Sequence, residues 1–122
     1  MDRKQLALQP RLHMLARLVP EGCRLTDVGT DHGYLPVALL QQGRISTAIA
    51  SDIGAEPLEH ARRTAVQYGV DGMDFRLCAG LSGVAPEETD VIVIAGMGGE
   101  NIASILRSAP WAGRNALCLL MV

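Results

Sequence analysis

The stretch Asp27-Val28-Gly29-Thr30-Asp31-His32-Gly33-Tyr34 concentrates more reactive side chains than any other part of this 122-residue chain. It follows a short apolar run and so reads as the turn from a strand into a helix. Gly29 permits a tight turn or a close backbone approach to a ligand, although an ordinary turn would use glycine equally well. A dinucleotide-binding turn reads G-x-G-x-x-G, and its diphosphate lies against the loop backbone and the following helix N-terminus. Asp31 stands where the second glycine of that pattern would be.

A carboxylate at that place repels a diphosphate and obstructs its approach. S-adenosylmethionine has no phosphate and carries a sulfonium and an ammonium. Asp27 and Asp31 therefore favour that cofactor over NAD. A further acidic residue is expected at the end of the second strand, about 20 residues on, where it can meet a ribose. Asp52 is there, closing Thr47-Ala48-Ile49-Ala50-Ser51-Asp52. Its alternative role is to cap the helix that starts near Gly54. Cys78-Ala79-Gly80-Leu81 follows the third strand, beside the expected adenine. Ala95-Gly96-Met97-Gly98-Gly99 follows the fourth and has three glycines in four residues. Such a backbone can lie flat against a ligand or a target base, or simply turn before a helix.

These loops need a scaffold that brings them to one edge. Pro10 suits the first turn of a helix whose Leu12, Leu15, Ala16 and Val19 share a face. Strands are expected over Cys23–Val28, Thr47–Ser51, Phe75–Cys78, Val91–Ala95 and Ala116–Val122. Helices are expected around Pro36, over Gly54–Tyr68 and over Glu100–Arg107. Val91–Ala95 is continuous and β-branched, as in a parallel strand covered on both faces. Strands alternating with helices predict a doubly wound, parallel α/β sheet. Residues 1–22 read as an N-terminal helical segment and 23–122 as a Rossmann-like cofactor domain.

The net charge is −2, unevenly spread. Residues 1–24 hold Arg3, Lys4, Arg11, Arg17 and Arg24 against Asp2 and Glu21, and the remainder is acidic. A basic segment of this kind could contact phosphate or be a solvated helix face. Aromatic residues are only 3% of the chain, which argues against recognition of nucleic acid by rows of stacking aromatics. Cys23, Cys78 and Cys118 have neither metal-ligand nor disulfide-framework spacing and read as small buried apolar residues. No signal-peptide core or membrane-length apolar run is visible, so a cytoplasmic protein is expected.

The strings LTDVGTDHGYLPVAL, AIASDIGAEPLEHAR and VIVIAGMGGENIASIL resemble the TrmK family of tRNA (adenine(22)-N1)-methyltransferases. The resemblance covers nearly the whole chain. It implies a class I methyltransferase fold, S-adenosylmethionine as cofactor and tRNA as partner. It implies that Asp27, Gly29, Asp31 and His32 line the methionine end. Asp52 and Ile53 would hold the ribose and adenine, Gly80 and Leu81 would flank the adenine, and Ala95, Gly96 and Met97 would border cofactor and target base. Asp31 would accept from the exocyclic amine of the adenine, with His32 as the other candidate catalytic group and Tyr34 beside the base. Asp31→Ala is then expected to abolish methylation and leave the fold intact.

Two features differ from the family pattern. The family has G-D-G-L where this chain has Cys78-Ala79-Gly80-Leu81, so a carboxylate that could accept from the adenine amine is replaced by a methyl group. The loss of one such bond costs about 1 kcal/mol. Family members also continue beyond the fifth strand, so an incomplete domain is expected, with an unpaired apolar edge at Ala116–Val122 that would pair two copies. Two other functions fit the same residues: a methyltransferase of this fold with another substrate, and a cofactor-binding module without catalysis.

Overall fold

The computed structural model describes residues 4–122, so Arg3 of the basic segment lies outside the described residues. The elements are α1 (Pro10–Leu18), β1 (Cys23–Val28), α2 (Tyr34–Gln41), β2 (Ile45–Asp52), α3 (Ala55–Gln67) and β3 (Met73–Leu77). A single 3-10 turn (Pro86–Glu88), β4 (Val91–Ala95), α4 (Gly99–Ser108), α5 (Ala112–Asn115) and β5 (Leu117–Met121) complete the order. All five strands are parallel and lie in the order β3-β2-β1-β4-β5. This is the doubly wound Rossmann-like arrangement expected, and its strand order reverses between β1 and β4.

Alternation along β4 shows why both faces are covered. Val91 and Val93 pack with Leu15, Ala16 and Val19 of the α1 region and with Leu35 and Leu39 of α2. Ile92 and Ile94 point the other way, onto Leu81, Val84, Ile102, Ala109 and Ala112. Successive strand residues face opposite sides, so a continuous apolar run needs helices on both. The segment before β1 shares this core, and Leu6 adds to it against Val37, Ala38 and Ala65. The Gln41 side chain fixes that segment by accepting from the Leu6 amide and donating to the carbonyls of Lys4 and Tyr68.

The register sets the site. Val28 at the end of β1 is level with Ser51 of β2 and Ile94 of β4, so three strands deliver their loops to one edge. At the opposite end, Arg24 and Asp90 tie β1 to β4. The guanidinium donates to both carboxylate oxygens at 2.9 and 3.1 Å, and the Arg24 amide donates at 2.9 Å. β5 pairs with β4 on one side and leaves Leu117 and Leu120 exposed.

Cysteine burial differs from expectation. Cys23 is buried, but Cys78 and Cys118 are only half-buried, because one lies just past β3 at the rim and the other lies on the edge strand. Among the described residues no helix is long and apolar enough to cross a membrane.

Candidate functional site

Two joined clefts open where the strand order reverses. The smaller, about 230 Å³, is walled by Arg11, Asp27, Thr30, His32 and Tyr34 among others. The larger, about 610 Å³, is walled by Ser51, Asp52, Ile53, Ala79, Gly80 and Met97 among others. Gly29, Asp31, Ala95 and Gly96 line both.

The loop after β1 is held from β2. The amides of Gly29 and Thr30 both donate to the Ser51 carbonyl at 2.9 Å, and the Asp31 amide donates to Asp52 Oδ2 at 3.1 Å. Gly29 has φ +69°, and a Cβ there would collide with the terminal methyl group of Met97. The dihedral is what favours glycine at this turn, since the Met97 methyl ends a flexible side chain that can move aside. Asp31 is in the left-handed region, at φ 54°, and is the one non-glycine there among the described residues. The backbone at that place keeps the conformation that a glycine would favour, and aspartate is among the few side chains that tolerate it.

Asp27 points from β1 into the smaller cleft. It is buried, and its carboxylate accepts from Thr30 Oγ1 at 2.9 Å. Burial pushes its carboxyl up to about 7; the charge of Asp52 pushes the same way, and the Thr30 bond opposes both. Asp52 also accepts from the Gly54 amide at 3.0 Å. Its two oxygens therefore anchor two loops, rather than capping α3 directly, and the side chain lines the larger cleft.

Most of the expected site residues converge here. Asp27, Gly29, Asp31 and His32 reach the smaller cleft, and Asp52, Ile53, Gly80, Ala95, Gly96 and Met97 reach the larger. Ile53 is 79% exposed, a large apolar side chain with nothing of the protein over it. Leu81 differs: it is buried with Val84 and Ile102 and supports the cleft from beneath. Arg11, one of the basic residues that could contact phosphate or lie on a solvated helix face, stands at the rim of the smaller cleft and donates to the Val122 carbonyl at 2.8 Å. Ser51, Asn101 and Ile105 complete the larger cleft without having been singled out from sequence. Asn101 stands two residues after Gly99, in the first turn of the helix that follows the glycine loop, which was the available signal.

The lining chemistry selects the ligand type. Among the described residues no lysine, arginine or histidine lines the larger cleft, whereas Asp31 and Asp52 do. A diphosphate would find no countercharge there. A ligand with hydroxyls, an apolar ring and positive charge finds an acceptor pair, an exposed isoleucine and acidic neighbours.

The family described as "Methyltransferase domain" matches residues 8–121. The tRNA (adenine(22)-N(1))-methyltransferase of Bacillus subtilis (strain 168) is 37% identical over 105 residues, covering 85% of this chain and 44% of that protein. A Streptococcus agalactiae protein of the NADB-Rossmann superfamily superposes with a TM-score of 0.88 at 39% identity, covering 98% of this chain and 53% of its own. TrmK of M. capricolum, solved with S-adenosyl-homocysteine, superposes with a TM-score of 0.78 at 34% identity, covering 84% and 47%. The chain spans about half the length of the relatives it matches.

Proposed function

This chain belongs to the methyltransferase-domain family, and on that premise we propose that it binds S-adenosylmethionine across the joined clefts and methylates N1 of an adenine in tRNA. The observation that carries the reading is the larger cleft, acidic and without a cationic side chain among the described residues, continuous with the loop around Asp31. In this arrangement Asp52 accepts from the ribose hydroxyls. Ile53 and Gly80 face the adenine, with Leu81 behind them. Asp27 meets the ammonium, and Arg11, across the same small cleft, meets the carboxylate. Ala95, Gly96 and Met97 separate this cofactor from the acceptor base. The relatives' names support the tRNA adenine substrate.

The bound cofactor supplies an electrophilic methyl group on a sulfonium. The protein's own part is positioning and electrostatics. N1 of adenine has a free lone pair at neutral pH, so no strong base is required. As that nitrogen gains positive charge, the Asp31 carboxylate can accept from the exocyclic amine and stabilise it. His32 borders the same opening. The target base must leave its stack to enter. The compartment is the cytoplasm, and the exposed Leu117 and Leu120 of β5 support a homodimer formed along that edge.

Calorimetry with S-adenosylhomocysteine and with NAD tests the cofactor: the first binds and the second does not. Mass spectrometry of nucleosides from tRNA incubated with S-adenosylmethionine tests the reaction by the appearance of 1-methyladenosine. Binding without any methylated tRNA nucleoside would overturn the tRNA reading and leave a cofactor-binding module.

A further inference from the structure

The rim of the smaller cleft carries a stack of three rings drawn from three parts of the chain. His32 of the loop after β1 stacks on Tyr34, the first residue of α2, with centroids 5.2 Å apart and planes 14° apart. Its ring also stacks on His60 of α3, with centroids 5.0 Å apart and planes 6° apart. These are offset-stacked geometries.

The cause lies one residue away in each segment. Gly33 has φ +72°, and a Cβ there would come within 2.9 Å of the Ala61 Cβ. Ala61 is fully buried. The loop therefore rests directly on α3 at that point, and the preceding residues, His32 and His60, meet ring to ring. The core needs Gly33 and Ala61 to be small, but it gains little from the rings. The His32 and His60 side chains are 42% and 36% exposed, and Tyr34 is 43% exposed. At this exposed rim His32 Nε2 lies 4.0 Å from Asp31 Oδ1 and His60 Nε2 lies 4.0 Å from Glu56 Oε1, a polar setting that suits a wet partner better than an apolar protein interface. Arg63, three residues after His60 on α3, is exposed as well.

We propose that Tyr34, His32 and His60 form a stacking platform for unpaired RNA bases next to the one that enters the cleft. The proposal rests on the RNA reading above. Tyr34 and His32 line the small cleft itself. His60 continues the stack outward, and no further ring lies on it among the described residues. Every base has a π-face, so such a platform grips a strand without reading its sequence.

The test is a short single-stranded RNA carrying 2-aminopurine beside an adenine, titrated with the whole chain. Stacking quenches the probe's fluorescence. His60→Ala should raise Kd about tenfold, the scale of one lost base–aromatic stack, and remove most of the quenching. His60→Phe should retain both. His60→Lys, which supplies a cation and lacks a ring, should behave as His60→Ala. Calorimetric binding of S-adenosylhomocysteine should be unchanged in all three. Undiminished affinity and quenching in His60→Ala would overturn the platform and leave the RNA reading intact. A parent chain that binds no RNA would overturn both.

Discussion

The backbone amide of Asp31 donates to the carboxylate of Asp52 at 3.1 Å, so the end of β2 fixes the conformation of the loop after β1. The same carboxylate takes the Gly54 amide at 3.0 Å. Its positioning work and its proposed ribose contact are thus inseparable in one side chain. Asp52→Ala leaves two amides without their acceptor and should lower stability by about 1–2 kcal/mol. It should also weaken S-adenosylhomocysteine binding at least ~10-fold, from lost charge-assisted bonds. Asp52→Asn retains an acceptor for one amide only and should fall between. Thermal melts and calorimetry on the two variants check the order.

Alanine is a mixed probe at Asp31, because its effect on the backbone adds to any effect on methyl transfer. With φ at 54°, a Cβ-bearing residue that lacks a short polar group pays roughly 1 kcal/mol in the left-handed region. Asp31→Asn keeps the shape and tolerates the dihedral. It should melt with the parent while losing methyl transfer. Asp31→Gly should also melt near the parent, and Asp31→Val well below it. Parental turnover in Asp31→Asn would remove Asp31 from the acceptor role.

The fold was readable where local pattern and tertiary burial agree. Val91–Ala95 is an unbroken β-branched run, and Cys23–Val28 ends at a glycine turn, so both strands have the expected bounds. β2 begins earlier than expected, at Ile45, because the exposed Ser46 and Thr47 interrupt the apolar run between Ile45 and Ala48. The short turn at Pro86–Glu88 and the helix Ala112–Asn115 have too few residues to show a period. In the site, Asp27, Gly29 and Asp52 were legible because strand ends in such a sheet share one edge. Arg11 was not, since its place depends on how α1 crosses the sheet. The His32–His60 stack was equally hidden, because it follows from the Gly33–Ala61 packing between distant segments.

Ala79 lines the larger cleft, at the position where the resemblance to the TrmK family implies a carboxylate. Ala79→Asp would supply an acceptor to the adenine amine. A hydrogen bond of about 1 kcal/mol corresponds to roughly fivefold tighter binding of S-adenosylhomocysteine. The comparison with S-inosylhomocysteine, which lacks that amine, isolates the effect. Equal gains for both ligands would mean that the new carboxylate acts by general charge.

Arg24 and Asp90 should matter for acid stability and not for ligand binding. The guanidinium and amide of Arg24 hold the Asp90 carboxyl down at about 2, from an ordinary 3.8. A depressed carboxyl stabilises the fold above its unfolded value, and that contribution disappears as pH falls through the folded value. Both side chains are nearly half exposed, so solvent screening keeps the effect small. Asp90→Asn should therefore unfold more easily than the parent near neutral pH, with the difference closing toward pH 2. Its affinity for S-adenosylhomocysteine should be parental, because the pair lies at the opposite end of the strands.

Asp27 works in the reverse sense. Burial holds its carboxyl up at about 7 in the folded chain, against an ordinary 3.8. Between those values the folded form keeps a proton that the unfolded form has lost. Stability must then fall as pH rises across that window and level off above it. The whole difference amounts to roughly 4 kcal/mol at most. Asp27→Asn carries no such penalty, so above neutral pH it should be the more stable protein. An ammonium placed against Asp27 favours the ionised carboxylate and lowers its pKa. S-adenosylhomocysteine should accordingly bind more tightly as pH rises toward 7 and then plateau, releasing a proton at the lower pH. Methylthioadenosine has no amino-acid end and should show no such rise. Calorimetry in buffers of different ionisation enthalpy measures the proton directly. Equal pH dependence for the two ligands would place the ammonium somewhere other than Asp27.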